Sequence, residues 1–382
     1  MSAVIQQTRA RLRAAMPVAE RWAYFDHAAV APVSGPAAAA MRTWVDQSAT
    51  EGDTMWPEWG RQLKAMRQAS ASLIGATPEE ITLVPNTTAG INLVAEGLDW
   101  RPGDNLVTLA DEYPSNLYPW MHLADRGVET RRVPTADGVV DYDQLAAHCD
   151  ERTRLITVSW VAFSNGCRRD LDAIAEIAAR KGTLLFVDAI QGLGVFPLDV
   201  SRTPIDFLAA DGHKWLLGPE GAGVAYIRRD RLPLLRATAV GAHSVVHAFD
   251  YTNIDLKLKP DASRYEGGSL NVPGMFGLGA SIELLQSLGV ENVAAAILDV
   301  TDQICGRLQE SGFRVISPRA GHQRSGIVSF EFPGADLMAV RRHCLERQVA
   351  LACRAGRIRV SAHAYNDAHD VERLIEALCS FN

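Results

Sequence analysis

An α/β fold is what this 382-residue sequence predicts: a mostly parallel sheet with helices on both faces, followed by a smaller α+β domain. Three observations carry the expectation. Short apolar runs alternate with amphipathic stretches through the first two-thirds of the chain, the pattern of repeated βαβ units. Residues able to do chemistry recur just past the ends of those runs, where ligands collect in such sheets. After about residue 285 the alternation gives way to a long helical stretch and closely spaced strands. A chain of this length also exceeds one comfortable hydrophobic core, so two domains are expected.

The elements follow in order. MSAVIQQTRARLRAAMPVAE mixes apolar residues with Arg and Gln and has no continuous apolar core, so it reads as an amphipathic helix and not a signal peptide. Seven strand-like runs come next, at 81–84 (ITLV), 105–110 (NLVTLA), 128–133 (VETRRV), 155–160 (LITVSW), 184–188 (LLFVD), 207–210 (FLAA) and 224–227 (VAYI). Between them lie segments such as Asp170 to Arg180, with Leu171, Ile174, Ile177 and Ala178 at helical spacing. A helical stretch from Glu291 to Glu310 precedes expected strands near 313–316, 326–332 and 348–360, and a last amphipathic helix runs from about Ala368 to Leu378. The expected division is a large domain over 17–285 and a small C-terminal domain over 286–382, joined by residues 1–16.

Composition excludes several function classes. Hydrophobic content of 47% with 22% charged residues is ordinary for a globular chain, and a net charge of −7 offers no footprint for nucleic acid or an acidic membrane surface. No apolar run approaches the ~20 residues of a spanning helix. The six cysteines form no CxxC pairs and no metal-like spacing with histidine, which reads as reduced thiols in a cytoplasmic protein. His243 and His247 fit one helix face but bring no third ligand, so no metal site is expected.

The chemistry concentrates around Asp188 and Lys214. An apolar strand, Leu184 to Val187, ends in the carboxylate, and a second, Phe207 to Ala210, runs into His213–Lys214. An amine and an acid on neighbouring strand ends suit pyridoxal phosphate, which needs the amine to carry its aldehyde as a Schiff base and the acid to keep its ring nitrogen protonated. In ITLVPNTTAGINLVAEGL a strand turns into a helix opening with Asn86, Thr87 and Thr88, whose free amides and hydroxyls suit a phosphate; a plain helix cap is the competing reading. His213 stands ready to add a donor, and Ser269, in YEGGSLNVPGMFGLG, offers a hydroxyl from this subunit or a neighbour. Tyr113 follows a strand end where an aromatic face can stack on a planar ring, and Gln191 sits three residues after Asp188, placed to donate to the ring's phenolic oxygen. Arg359, in GRIRVSAHAYND, provides a planar fork for a substrate carboxylate, with Arg354 and Arg357 as near competitors.

Together, YFDHAAVAP (24–32), DAIQ (188–191) and DGHKWLLGPEG (211–221) make the chain resemble the class V aminotransferase family of fold-type I pyridoxal phosphate enzymes over nearly its whole length. That family includes cysteine desulfurases, isopenicillin N epimerase-like proteins, kynureninases and cystine lyases. The resemblance implies Lys214 as the Schiff-base lysine, Asp188 as partner of the pyridine nitrogen, and Gln191 on the phenolic oxygen. It implies Thr87, Thr88 and His213 as phosphate ligands, Tyr113 as the stacking residue and Arg359 as the carboxylate anchor. Ser269 matches a residue that reaches the other subunit's phosphate, which implies a homodimer with shared active sites.

Four departures qualify it. Tyr113 replaces the histidine that desulfurases stack on the ring, and a phenol is a poorer acid–base partner at neutral pH than an imidazole. RAGRIRVSAH leaves no room for the mobile loop that bears the desulfurase nucleophilic cysteine, and Cys353 lies before it on an expected strand. Asp211 stands where a serine often touches the phosphate, and an anion there must turn away or be neutralised. Phe163 replaces a usual asparagine, with Ser164 and Asn165 nearby as substitutes. The expectation is therefore an enzyme acting on a small α-amino acid, an aminotransferase or epimerase-like protein first. A cysteine desulfurase or C–S lyase without the cysteine loop is the alternative, and a non-catalytic cofactor-binding regulator is the reading from a different class. No nucleic-acid or membrane partner is expected.

Overall fold

The computed structural model describes residues 2–381. All seven expected runs pair into one sheet, and four smaller strand pieces plus an N-terminal one complete the set. In chain order the strands are β1 (Ala23–Tyr24), β2 (Ile81–Val84), β3 (Asn105–Leu109), β4 (Glu129–Val133), β5 (Thr153–Ser159) and β6 (Leu184–Asp188). They continue with β7 (Phe207–Asp211), β8 (Gly223–Ile227), β9 (Ile327–Phe330), β10 (Val349–Ala350), β11 (Ala352–Arg354) and β12 (Arg357–Ser361).

The large sheet has the order β2-β8-β7-β6-β5-β3-β4. Only β8 runs antiparallel to its neighbours, because the short 212–222 segment from β7 holds no crossover helix. Strand residues alternate between two apolar layers: Val107, Ile156, Val158, Leu185 and Val187 face one, and Leu106, Leu155, Phe186 and Phe207 the other. Helices cover both layers. The Leu171–Lys181 helix is N-capped by Asp170, which accepts from the amides of Asp172 and Ala173, and it stops at Gly182 with φ of 67°.

The C-terminal part is built on the antiparallel sheet β11-β12-β9, packed against the Val290–Glu310 and Ala368–Cys379 helices. Its apolar cluster joins Ile304, Val328, Phe330, Val360 and Leu374 with Ala23 and Phe25 from near the N-terminus. The N-terminal Ala3–Ala14 helix lies on the Val290–Glu310 helix, with Arg9 and Asp299 paired at 2.8 Å. Two local expectations fail. The run at 313–316 is no strand but a single bridge, Val315 to Phe330, because the chain turns away at Ser317–Pro318. The stretch 348–360 breaks into β10, β11 and β12, since β10 pairs with β1 and a tight turn separates the other two.

One close contact aligns the fold with its site. The Thr87–Gly97 helix crosses β7 and β8 so closely that a Cβ on Gly90 would lie 2.6 Å from the Ala209 Cβ and 3.3 Å from that of Ala225. Glycine at this position lets the helix N-terminus reach the carboxyl ends of the parallel strands. Gly90→Ala should lift the helix and destabilise the apo-protein by about 1–3 kcal/mol. Thermal unfolding checks this: a Tm lower by a few degrees is expected, and an unchanged Tm contradicts the contact.

Candidate active site

At the carboxyl ends of β3, β5, β6 and β7 a cavity of about 370 Å³ opens, lined among others by Thr87, Thr88, Tyr113, Phe163, Asp188 and Gln191. Asp211, His213, Lys214, Arg354 and Arg359 complete its polar wall. Of the residues singled out from the sequence for cofactor or substrate, all line this cavity except Ser269 and the competing Arg357. Ser269 is exposed and outside this chain's cavity, just before the Val272–Leu288 helix.

Asp188, the last residue of β6, is 2% exposed and accepts a hydrogen bond from the Ile190 amide at 3.1 Å. Burial pushes its carboxyl up to about 7, the buried Glu112 carboxylate pushes the same way, and the Ile190 amide, Lys214 and Arg169 oppose. Behind it, Glu112 is held by the Ser159 amide at 2.8 Å, Asn116 at 3.1 Å and Arg169 at 2.7 Å, and by the Ser159 hydroxyl. Arg169 also reaches Asp111 at 3.0 Å. This buried network was not visible in the sequence, because its members come from the segments after β3 and β5.

Lys214 follows β7 in a tight turn. The Leu217 amide donates to the Lys214 carbonyl at 3.1 Å, and Leu217 takes a φ of 57°, rare for a branched residue. The Leu217 carbonyl in turn accepts from Ser281 Oγ at 2.8 Å and the Ser34 amide at 3.1 Å, which pins the turn. Burial draws the Lys214 amine down to about 8, with Arg359 and Arg354 acting the same way and Asp188 and Asp211 opposing. Its Nζ lies 5.6 Å from the Tyr113 ring centroid, and that ring packs edge-on against Phe163 at 5.2 Å.

At the helix end of the cavity, Asn86 caps the Thr87–Gly97 helix by accepting from the Ala89 amide at 2.8 Å, which leaves the amides of Thr87 and Thr88 open. Gln191 is more committed than the sequence implied. Its Nε2 donates to the Ala28 carbonyl at 3.0 Å and its Oε1 accepts from Trp215 at 2.7 Å, so one N–H remains for a ring oxygen.

The arginines separate clearly. Arg359, on the central strand β12 and 1% exposed, donates to the Phe163 carbonyl at 2.8 Å and to Asp26 at 3.4 Å, and its Nε has no partner among the described residues. Arg354 is exposed but also lines the cavity, whereas Arg357 pairs with Asp137 at 3.4 Å outside it. Neither Ser164 nor Asn165 takes the place of the missing asparagine: Asn165 is buried and turned onto Asp137 and Cys167, and Ser164 does not reach the cavity. Asp26, within YFDHAAVAP, went unassigned; its only signal was position beside that motif.

This donor set fits pyridoxal phosphate. An open helix N-terminus with hydroxyls suits its phosphate, the buried acid its ring nitrogen, the desolvated amine its carbonyl carbon and the Tyr113 face its ring. The buried Nε of Arg359 is a donor left without a partner among the described residues.

Comparison with known proteins agrees. The family pattern described as aminotransferase class-V matches residues 23–374. A probable cysteine desulfurase of Methanothermobacter thermautotrophicus is 31% identical, with 96% of each chain covered. A lysine-to-alanine variant of C-DES, with glycine covalently linked to its PLP cofactor, superposes with a TM-score of 0.91 at 25% identity, covering 97% of this chain and 99% of that one. The cystine C–S lyase C-DES in complex with its product cysteine persulfide gives 0.88 at 26%, covering 94% and 98%. These relatives favour the desulfurase or C–S lyase alternative over the aminotransferase or epimerase reading put first from the sequence. With a cavity that fits pyridoxal phosphate and a family match along nearly its whole length, the chain belongs to the aminotransferase class-V family of pyridoxal phosphate enzymes.

Proposed function

We propose that this enzyme is a C–S lyase that eliminates sulfur from cysteine or its disulfide. The observation that carries the reading is the β11–β12 turn. Arg354 pairs with Arg357, so only Ala355 and Gly356 connect the strands, both at positive φ (50° and 69°). A two-residue turn of this kind has no slack for a mobile cysteine loop. None of the six cysteines lines the cavity, and the Cys353 thiol, raised by burial, donates to the Leu337 carbonyl at 3.1 Å. Sulfur then has no protein thiol to receive it and must leave with the solvent-borne product. The similarity to a cystine C–S lyase supports the same reaction.

Bound pyridoxal phosphate supplies an electron sink for the charge left when the Cα–H bond breaks. The chain does the rest. Thr87, Thr88 and the helix N-terminus hold the phosphate, and Asp188 keeps a proton on the ring nitrogen. Arg359 grips the substrate carboxylate, its fork aimed by the Phe163 carbonyl and Asp26. Burial lowers the Lys214 amine toward the range in which it exchanges a proton near neutral pH, and Lys214 takes the Cα proton. As the Cβ–S bond breaks, the electron pair departs on sulfur, and hydrolysis of what remains gives pyruvate and ammonia. Because Ser269 is exposed and lies outside its own chain's cavity, the reading extends to a homodimer in which Ser269 serves the neighbouring site.

Mixing the loaded enzyme with L-cystine or L-cysteine, without a keto acid, tests the reaction. Pyruvate and ammonia in equal amounts, with the cofactor returned unchanged, are expected; accumulation of pyridoxamine phosphate without pyruvate would make it an aminotransferase. Lys214→Ala should lower kcat by about 10³-fold or more while cofactor is still retained, and normal turnover in that variant would sink the scheme.

A third expectation concerns the apo-protein. Asp188 is raised from 3.8 to about 7, so the stability carried by its protonated form is complete below the lower value and lost as pH rises through the upper one. Tm measured against pH should fall across that window in the wild type and fall less in Asp188→Asn. Equal slopes would contradict the burial argument.

A further inference from the structure

Asp211 closes β7 at the phosphate end of the cavity, where it is 4% exposed. Its amide donates to Thr87 Oγ1 at 2.9 Å, which ties its backbone to the phosphate-binding helix terminus. One carboxylate oxygen, Oδ2, lies 2.8 Å from His213 Nδ1; the other, Oδ1, is buried and has no hydrogen-bond partner among the described residues. Of the charged groups around it, His213 and Lys214 belong to the same turn, Asp188 comes from β6, and Arg354 and Arg359 stand on the small-domain side of the cavity. Neither β8 nor the first turn of the Thr87–Gly97 helix brings a cation.

We propose that Asp211 shares a proton with the phosphate of the cofactor, so that this chain holds the phosphate ester as its monoanion. Two like-charged groups in one dry site do not both stay ionised, and an orphaned carboxylate oxygen is a ready acceptor for a phosphate O–H. A serine in this position donates to the phosphate; an aspartate accepts from it, which inverts the polarity of one hydrogen bond. The inference rests on pyridoxal phosphate being the cofactor. It also predicts affinity that depends on pH, since a phosphate monoester loses its second proton near about 6.

Phosphorus NMR of the wild-type holoenzyme at about pH 7.5 reads the charge state directly. The bound resonance should sit where free pyridoxal phosphate resonates at about pH 4, as the monoanion, and should move to the dianion position in Asp211→Ser. Titration of apo-protein with pyridoxamine phosphate, which has no aldehyde to join Lys214, supplies a second measurement. The wild-type Kd should rise with pH above about 6 by about tenfold more per pH unit than that of Asp211→Ser or Asp211→Asn, in which only Asp188 and Lys214 still titrate. A dianion resonance in the wild type, or the same pH slope in all three proteins, overturns the role of Asp211 alone. Failure of both vitamers to bind at any pH overturns the cofactor assignment and the proposal with it.

Discussion

The withdrawal of Asp188 and Lys214 from water is the constraint on which the rest of the structure depends. Burial works against the charged form of each, raising the acid and lowering the amine, and the two offset each other only because they share one dry site. That balance leaves a carboxyl and an amine that both exchange protons near neutrality. Water reaching either would return it to ordinary behaviour. The sheet end, the close helix at Gly90 and the pinned turn at Leu217 all act to keep the pair dry and fixed.

Behind the pair lies a second layer of buried charge. Glu112 and Arg169 are almost fully enclosed and hydrogen-bonded to each other and to neighbouring groups, although the Arg169 Nε has no partner among the described residues. Such a network is expensive to break, since removing one partner leaves the other buried and unpaired. Its negative member pushes Asp188 toward its protonated form, and its positive member pulls the other way. Asp188 is thus tuned by groups that do not themselves line the cavity.

Much of this was legible in the sequence because the strands of a parallel sheet are continuous apolar runs, and their ends mark the ligand site. Asp188, Lys214 and Tyr113 were singled out that way, and the structure gathers them around one cavity. What escaped depended on distant pairing. Asp26 meets Arg359 across 333 positions, and no local pattern announces that contact. Arg357 and Arg359 look equivalent on alternate positions of one strand, yet the nearby Asp137 draws the first away. The run at 313–316 has strand composition, but a neighbour's register and not composition decides whether a strand forms. The reaction subtype was misordered for a related reason: the missing cysteine loop speaks against sulfur transfer to the protein, but it says nothing against sulfur elimination.

Replacing Cys353 by alanine tests that distinction most directly. It is the cysteine nearest in sequence to Arg359, the arginine proposed to bind the carboxylate, and lies on the strand beside it. If sulfur leaves without help from a protein thiol, pyruvate formation from cystine in Cys353→Ala should stay within about twofold of the wild type. Alanine formed by the wild type in place of pyruvate, and lost about 10²-fold or more in Cys353→Ala with folding and cofactor content unchanged, would mean that a protein thiol takes the sulfur and would contradict the account.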